Sequence, residues 1–471
     1  MLHISTRGEA PALSFTDALM TGLASDGGLY WPERFPTLSP AEIAGFAGRP
    51  YAEVAEDILT RLSGGEFDVA ALRGMIGEAY ADFRHPAVCP LVQIGDNLFV
   101  LELFHGPTLA FKDVAMQLLG RLMDHVLEAR GQRATILGAT SGDTGSAAVA
   151  AFGGSRRADV FILYPHGRVS DVQRRQMTTV DAPNVHAIAL EGSFDDCQAI
   201  LKSLFGREAF RREMQLSGVN SINWARVAAQ AVYYFTAAVA LGSPHREVAF
   251  SVPTGNFGDV LAGWVAKRMG LPVAGLGIAT NANDILARTL ESGRYEVTSV
   301  LPTTSPSMDI QVSSNFERLL FEAGGRDAGP VRRAMASLKQ SGAFTIEPGT
   351  LARIREEFEA EAVGEDAVAA EIGRTRREAG YLLDPHTAIA VAAARTRLAR
   401  DPATPVVALS TAHPAKFPDA VEAASGIRPA LPPHLADLFE RKERVTVLPN
   451  DTDAVASYLQ REARAVREQA A

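Results

Sequence analysis

The stretch "RATILGATSGDTGSAAVAAFGG", residues 133–154, combines a short apolar run, a loop of glycines and hydroxyl residues, and a helical pattern. The same layout recurs in "EVAFSVPTGNFGDVLAGWVAKRMG" (247–270) and in "TPVVALSTAHPAKFPDAVEAA" (404–424). Strands that alternate with helices in this way predict a parallel sheet covered by helices on both faces. Ligands of such α/β folds bind at the carboxyl ends of the strands, where these loops lie. We therefore predict an α/β core whose functional site is built from these loops.

The segments around this core have different patterns. The first part of the chain, residues 1–85, contains short helical patterns such as "YAEVAEDILTRL", in which apolar residues recur on one stripe. We predict an N-terminal, mostly helical domain there, a core over 86–430 and a C-terminal helical extension over 431–471. Within the core, a charged segment at about 320–380 is expected to be a solvated helical insertion rather than a site.

Composition narrows the possible functions. The chain of 471 residues has 46 basic and 55 acidic residues, a net charge of −9, and no basic run that could neutralise a nucleic-acid backbone. We therefore expect no nucleic-acid partner and favour small-molecule chemistry. The two cysteines, Cys89 and Cys197, lack a zinc-ligand pattern and are typical of buried thiols in a reducing cytosol. No apolar stretch reaches the roughly 20 residues of a membrane span, so we predict a cytoplasmic protein with neither a membrane partner nor a metal.

A single lysine stands at a predicted loop-to-helix junction in "LELFHGPTLAFKDVAMQLLG", residues 101–120. The apolar residues after Lys112 recur at helical spacing, so a helix is expected to begin close to Asp113. A helix N-terminus carries about half a positive charge, and Phe111 desolvates the amine. Both effects favour the neutral amine that forms a covalent link to an aldehyde cofactor. A surface lysine that extends its charge into solvent is the commoner interpretation of such a junction taken alone.

Two further segments have the form of anion-binding loops. Both "GATSGDTG" (138–145) and "SVPTGNFGD" (251–259) follow an apolar run and precede a helical pattern. Glycines allow backbone N–H groups to approach a ligand, and a helix N-terminus favours negative charge. Neither segment contains the Walker or the dinucleotide motif, so ATP and NAD are disfavoured. In the first loop, a tight turn in which Ser141 and Asp143 only cap the helix is also a common arrangement.

Taken together, these features favour one class of cofactor. Lys112 supplies an amine, and the loop from Gly255 to Gly258 supplies a phosphate cradle. The hydroxyls of Ser410 and Thr411, in "ALSTAHPAKF", lie at the end of another predicted strand. An aldehyde cofactor with a phosphate group requires this combination.

Four segments, "HGPTLAFKDVAMQ", "GATSGDTGSAA", "VPTGNFGD" and "STAHPAKF", resemble the signature segments of the threonine synthase family. The stretch "ISTRGEAPALSFTDALMTGLASDGGLYWPE" also resembles that family's N-terminal segment. This resemblance implies a pyridoxal-phosphate (PLP) lyase of fold type II, the tryptophan-synthase-β fold. It implies the conversion of O-phospho-L-homoserine and water to L-threonine and phosphate by γ-elimination and β-hydration.

The resemblance also implies roles for individual residues. Lys112 would carry pyridoxal 5'-phosphate and act as the base, and Thr411 would face the pyridine nitrogen. The other residues that would bind the cofactor are Gly255, Asn256, Phe257 and Asp259.

The substrate needs further contacts. The segment "GATSGDTG" is expected to bind the substrate carboxylate or phosphate, with Ser141 and Thr144 as hydroxyl donors. The substrate phosphate also needs a cation, and we name Arg318 for it, with Arg226 and Arg7 as alternatives. A structural ion pair is the commoner role for each of these arginines.

Two alternative functions remain open at this point. A serine or threonine dehydratase could use the same lysine and phosphate loop, and product analysis would separate it from the reaction above. A catalytically silent relative that binds PLP or a metabolite would be favoured by loss of the lysine or of a glycine loop, and both are present here. We expect a monomer or a homodimer that acts on a small molecule.

Overall fold

The computed structural model of the protein describes residues 1–467. Its strands in chain order are β1 (His3–Ser5), β2 (Tyr30–Pro32), β3 (Leu91–Gly95), β4 (Leu98–Glu102), β5 (Ala134–Ala139), β6 (Ala158–Pro165), β7 (Val185–Glu191), β8 (Leu216–Ser217), β9 (Val248–Pro253), β10 (Val273–Thr280), β11 (Arg294–Glu296), β12 (Ala343–Thr345), β13 (Phe358–Ala362), β14 (Val406–Ser410) and β15 (Thr446–Pro449).

The helices in chain order are α1 (Phe15–Thr21), α2 (Pro40–Ala44), α3 (Tyr51–Leu62), α4 (Val69–Tyr80), α5 (Lys112–Ala129), α6 (Asp143–Phe152), α7 (Asp171–Thr178), α8 (Phe194–Gly206), α9 (Glu208–Glu213), α10 (Trp224–Ala240), α11 (Gly258–Arg268), α12 (Ile285–Ser292), α13 (Phe316–Ala323), α14 (Ala328–Ser341), α15 (Pro348–Glu357), α16 (Glu365–Ala379), α17 (Pro385–Arg400), α18 (Pro418–Ser425), α19 (Thr452–Glu462) and α20 (Arg464–Arg467). Three short 3₁₀ turns cover Pro306–Met308, Pro414–Lys416 and Pro433–Leu435.

Two largely parallel sheets form the centre of the protein. The larger has six strands in the order β13-β10-β9-β14-β4-β3, and the smaller has five in the order β15-β7-β6-β5-β8. Neighbouring strands are parallel throughout, except that β3 and β4 form an antiparallel pair at one edge. The strands β5, β6, β9 and β14 are almost wholly buried, as expected when helices cover both faces. The predicted α/β core is confirmed.

The first 80 residues pack directly on this core. Side chains of α1 to α4 belong to the same continuous apolar cluster as α5, α10 and α11. Three buried tryptophans mark the junction: the ring centre of Trp31 lies 5.0 Å from that of Trp224 and 6.2 Å from that of Trp264. The mostly helical N-terminal part therefore shares its hydrophobic core with the sheets.

The segment at about 320–380 contains the predicted helices and, in addition, two strands. β12 pairs antiparallel with β11, and β13 pairs parallel with β10 at the edge of the larger sheet. The sequence of β13, "FEAEA", is rich in residues that favour helices. Pairing with β10 overrides this local preference, as tertiary contacts commonly do.

The C-terminal segment differs from its prediction in a similar way. It was expected to be helical, yet β15 pairs parallel with β7 and completes the smaller sheet. The helical extension predicted over 431–471 contains two helices after β15, α19 and α20, which are separated at Ala463, and residues 468–471 of that prediction lie outside the described residues. Within residues 1–467, no helix is both long and apolar enough to cross a membrane.

Candidate active site

Lys112 is the first residue of α5, at the point where the loop after β4 becomes a helix. Its side chain is buried, with 9% of its surface exposed, and its Nζ lies 4.8 Å from the centre of the Phe111 ring. The amine is 3.3 Å from Asp143 Oδ2 and 3.5 Å from Ser307 Oγ. Burial lowers the pKa of Lys112; Asp143 opposes this shift, and the positive charge of Lys416 adds to it. Lys112 is therefore a buried lysine, and the alternative of a surface lysine that extends its charge into solvent is wrong.

Asp143 connects Lys112 to a second buried lysine. It is the first residue of α6, and its Oδ1 lies 2.7 Å from Lys416 Nζ and accepts a hydrogen bond of 2.8 Å from Gln173 Nε2. Its Oδ2 accepts a hydrogen bond of 3.0 Å from Ser307 Oγ. Burial raises the pKa of Asp143, but the charges of Lys416 and Lys112 outweigh burial and hold this pKa well below its usual range. Asp143 is thus a carboxylate fixed between two amines.

The loop between β9 and α11 presents unpaired backbone amides. In the part of the chain that the structure describes, the N–H groups of Gly255, Asn256, Phe257 and Gly258 have no hydrogen-bond acceptor. Phe257 has a φ of 66°, in the left-handed region that few residues other than glycine adopt. Free amides at the start of a helix of 11 residues form the arrangement that binds phosphate in many proteins.

Neighbouring residues fix the carbonyl groups of this loop. Ser313 Oγ donates to Gly255 O at 2.6 Å, and Asn315 Nδ2 donates to Asn256 O at 3.0 Å. A Cβ atom on Gly255 would lie 2.9 Å from Ser307 O, which is too close for a side chain. The loop is therefore held in one conformation, with its carbonyls paired and its amides free.

Thr411 follows β14 and lies beside the segment that carries Lys112. Its carbonyl accepts a hydrogen bond of 2.8 Å from Phe111 N, and Ala412 forms a β-bridge with Ala110. The side chain of Thr411 is buried, and no described residue hydrogen-bonds to its hydroxyl. The Ser410 hydroxyl, by contrast, is paired at 2.9 Å with that of Thr387. The fold thus brings Thr411 close to Lys112 with its hydroxyl available.

Asp259 is the second residue of α11, and its environment differs from that of the free amides. Its Oδ1 accepts hydrogen bonds from the hydroxyls of Tyr233 and Tyr234, and its buried Oδ2 has no partner among the described residues. Burial raises the pKa of Asp259 to about 6, against the opposing effects of the two tyrosines and of the charge on Lys112. The carboxyl group thus anchors α11 to α10.

The loop before α6 combines a fixed backbone with free hydroxyls. Thr140 Oγ1 accepts hydrogen bonds from Gly142 N at 2.9 Å and from Gly145 N at 3.0 Å. Gly142 has a φ of 149°, and a Cβ atom there would lie 2.4 Å from the Gln173 side chain. The hydroxyls of Ser141, which is exposed, and of Thr144, which is half-buried, have no partner among the described residues. They are available at the same helix end that places Asp143 beside Lys112.

The three candidate arginines have different environments. Arg7 pairs with Glu317 at 2.9 Å. Arg318 is fully buried, and its guanidinium donates to Tyr30 O at 2.7 Å and 3.2 Å, to Ile222 O at 2.7 Å and to Asn315 Oδ1. Because these groups occupy its donors, Arg318 is not available to substrate in this structure. It instead supports Asn315, which holds the β9–α11 loop.

Among the three candidates, Arg226 is the arginine whose guanidinium keeps a buried nitrogen without a partner in the described part of the chain. It is 3% exposed, its Nη1 donates to Val219 O at 3.1 Å, and its Nε is buried without any partner among the described residues. Burial lowers the pKa of Arg226 to about 10, and its charge affects Lys112. Arg226 lies on α10, and the residues just before this helix are close to the β9–α11 loop. A Cβ atom on Gly258 would lie 3.9 Å from Ser221 O. A buried guanidinium with an unpaired N–H group favours an anionic ligand, because the ligand would compensate its charge.

Sequence reasoning missed three groups of the site: Asp143 as a central charge, Lys416 and Ser307. From the sequence, Asp143 is predicted only as a helix cap, and no role is predicted for Lys416 within the segment "STAHPAKF". A lysine within this otherwise uncharged segment at the end of a strand could have indicated that Lys416 is buried near the site. Ser307 belongs to the 3₁₀ turn Pro306–Met308, and nothing in its local sequence indicates that this turn contacts Lys112.

The assembled groups fit an aldehyde cofactor that carries a phosphate. Lys112 offers a desolvated amine, and the β9–α11 loop offers free amides that a phosphate would satisfy. The Thr411 hydroxyl offers an uncharged partner for a ring nitrogen. The free amides are the strongest part of this fit, because several unpaired N–H groups at one helix N-terminus form an arrangement that binds phosphate.

Comparison with known proteins agrees with this fit. Residues 89–412 match the family model described as "Pyridoxal-phosphate dependent enzyme", residues 2–80 match "Threonine synthase N terminus" and residues 387–459 match "Threonine synthase, C-terminal". The chain is 54% identical to threonine synthase of Pseudomonas aeruginosa over 98% of both chains.

Solved structures give the same result. A PLP-bound threonine synthase from Brucella melitensis is 59% identical, with a TM-score of 0.96 over 98% of this chain and 100% of that one. The yeast threonine synthase is 39% identical, with a TM-score of 0.93 over 98% of both chains. The fold is therefore that of PLP enzymes of fold type II, and PLP is the cofactor. This chain belongs to the threonine synthase family.

Proposed function

We propose that the protein is a threonine synthase that converts O-phospho-L-homoserine and water to L-threonine and phosphate. The observation that supports this most directly is the buried amine of Lys112, held by Asp143 and Ser307 beside a loop of unpaired amides. A chain that only bound PLP as a silent relative would not need this arrangement around the lysine. We place the reaction at the carboxyl ends of β4, β5, β9 and β14.

The proposed cofactor contacts follow from these positions. Lys112 attaches the cofactor, and the amides of Gly255, Asn256 and Phe257 hold its phosphate. Asp259 supports the same site from α11, where the hydroxyls of Tyr233 and Tyr234 hold its carboxyl group. Bound PLP supplies an electron sink that makes hydrogens on the neighbouring substrate carbons removable as protons. Thr411, as a hydroxyl rather than a carboxylate, leaves the pyridine nitrogen largely uncharged.

Lys112 also moves protons in this proposal. Once the substrate amine has replaced it, its Nζ is free to act as general base and then as general acid. Asp143 Oδ2 and Ser307 Oγ, at 3.3 Å and 3.5 Å, hold the free amine within the site. Burial favours its neutral form, which is the form that accepts a proton.

We propose that Arg226, rather than Arg318, is the cation that meets the substrate phosphate. Arg226 has a buried Nε without a partner and no acidic neighbour, whereas the donors of Arg318 are occupied by carbonyl groups and by Asn315. An anionic substrate group would satisfy the unpaired Nε of Arg226, whereas every nitrogen of the Arg318 guanidinium already donates a hydrogen bond. Ser141 and Thr144 are proposed to donate to the substrate carboxylate or phosphate from the α6 loop.

Other properties stay proposals as well. We propose a cytoplasmic location, action on a small molecule without a nucleic-acid partner, and a monomeric or homodimeric state. The domain boundaries at residues 85 and 430 are likewise proposed.

The reaction predicts a specific pattern of isotope in the product. Purified protein given O-phosphohomoserine in heavy water should release equimolar threonine and phosphate. Because water adds at the β-carbon after phosphate has left the γ-carbon, NMR should show deuterium both at the α-carbon and in the methyl group. Threonine with an unlabelled methyl group would rule out elimination followed by hydration, and an oxo acid with ammonia would indicate a dehydratase.

Borohydride reduction should attach the cofactor permanently to Lys112. Mass spectrometry of the digested holoenzyme should find the reduced adduct on the peptide with Lys112 and not on Lys416, the other buried lysine of the described residues. Lys112→Ala should carry no adduct. An adduct on Lys416 in the unmodified protein would contradict the assignment.

Arg226→Met should weaken substrate binding without destabilising the fold. A hydrogen bond to a charged group contributes about 1.5–3 kcal/mol, so KM for O-phosphohomoserine should rise about 10- to 100-fold. The free energy of unfolding should change less than in Arg318→Met, because only the Val219 carbonyl loses its donor and an unpaired buried charge is removed with it.

Arg318→Met is the matched control and should show the reverse pattern. It leaves the carbonyls of Tyr30 and Ile222 unsatisfied, which costs about 1–3 kcal/mol of unfolding free energy for each group. Its KM should stay close to that of the unmodified protein. A large rise in KM for Arg318→Met together with an unchanged KM for Arg226→Met would restore the original prediction.

A further inference from the structure

Two buried lysines share one carboxylate at the centre of the site. Lys416, in the turn Pro414–Lys416, has no exposed surface, and its Nζ contacts Asp143 Oδ1 at 2.7 Å and Thr108 O at 2.8 Å. Lys112 reaches the other oxygen, Oδ2, at 3.3 Å. An enzyme that needed only a partner for the lysine of its cofactor would not require a second buried amine, because each buried charge carries a desolvation cost.

We infer that Lys416 and Asp143 form a positioning pair for Lys112. Asp143 holds the free amine of Lys112, and the positive charge of Lys416 offsets the negative charge of Asp143, so that the carboxylate does not keep this amine protonated. This inference rests on the proposed function only in taking Lys112 as the reacting lysine. Neither Lys416 nor Asp143 is proposed to touch the substrate.

The geometry separates the two oxygens of Asp143 by task. Oδ1 is occupied by Lys416 and by Gln173, at 2.7 Å and 2.8 Å, so its direction is fixed. Oδ2 is shared by Ser307 at 3.0 Å and Lys112 at 3.3 Å. This oxygen can therefore keep a hydrogen bond from Ser307 when the Lys112 amine changes its covalent or protonation state. A fixed side and an adaptable side are what a positioning carboxylate needs.

Charge explains why the second lysine is required. When Lys112 is covalently engaged and uncharged, Asp143 would be a lone buried anion without Lys416. When Lys112 is free, a simple Asp143–Lys112 pair would favour the protonated amine, which cannot act as a base. The charge of Lys416 compensates Asp143 in the first state and opposes protonation of Lys112 in the second.

The other charged groups around the amine are accounted for. Burial is the main cause of the lowered pKa of Lys112, and the charge of Arg226 on α10 lowers this pKa further. Asp259 on α11 also interacts with the charge of Lys112. Lys416 also acts on Asp113, whose pKa burial raises to about 6. Ser307 N faces His386 Nε2 at 3.4 Å. None of these groups contacts both lysines, as Asp143 does.

The test measures the protonation of Lys112 directly. The full-length chain, freed of cofactor, is treated with formaldehyde and a borane reductant over a range of pH, and methylation of Lys112 is followed by peptide mass spectrometry. Only a neutral amine reacts, so the midpoint of the methylation rate against pH reports the pKa of Lys112. Removing one neighbouring charge should move this midpoint by about 1 pH unit.

The two partners should move the midpoint in opposite directions. Lys416→Met removes a like charge and should raise it, whereas Asp143→Asn removes an opposite charge and should lower it. In the holoenzyme, the acid limb of the kcat–pH profile should move the same way. Lys416→Gln keeps a hydrogen-bond donor without the charge, should also raise the midpoint, and carries the test if Lys416→Met does not fold.

Lys267 provides an internal control in the same digests. It pairs with Glu357 at 2.6 Å on another part of the protein, so its midpoint should be unchanged in every variant. An unchanged or lowered Lys112 midpoint in the folded Lys416 variant, or a raised one in Asp143→Asn, would overturn the inference. Failure of the unmodified protein to make threonine would instead contradict the proposed function and leave these midpoints as they are.

Discussion

The ionised carboxylate of Asp143 is the constraint on which the rest of the site depends. A buried anion must be compensated by nearby positive charge, and here Lys416 provides it, while the amine of Lys112 contacts the same carboxylate from a second segment of the chain. Gln173 and Ser307 add hydrogen bonds from two more segments. Five stretches that are distant in sequence are thereby fixed relative to one another around a single functional group.

The α/β fold makes this convergence possible. Lys112 follows β4, Asp143 follows β5, the loop of free amides follows β9, and Thr411 and Lys416 follow β14. Parallel strands place their carboxyl ends at one edge of each sheet, and the contacts of Asp143 with Lys112 and Lys416 join these edges of the two sheets. Helices that begin at these points, α5, α6 and α11, direct their N-termini at the site and favour anionic groups there. The chemistry of the site thus follows from the topology of the sheets.

Much of this was predictable because it depends on local sequence. The strand–loop–helix layout indicated the sheets, and the spacing after Lys112 indicated a helix that begins within one residue of its observed start. The choice among three arginines was not predictable, because Arg226 and Arg318 are distinguished only by the groups that surround them in space. Lys416 and Ser307 were missed for the same reason. The edge strand β13 was missed because "FEAEA" favours a helix until β10 pairs with it.

We propose that one lysine and two distinct anion loops make up the site, with the cofactor phosphate on the β9–α11 loop and the substrate on the α6 loop. A crystal structure of the protein with bound PLP tests this most directly. We expect continuous density between Lys112 Nζ and the cofactor, its phosphate against the amides of residues 255–258, and Asp143 still paired with Lys416. A cofactor phosphate seated on residues 141–145 instead, or a cofactor attached to another lysine, would contradict the account.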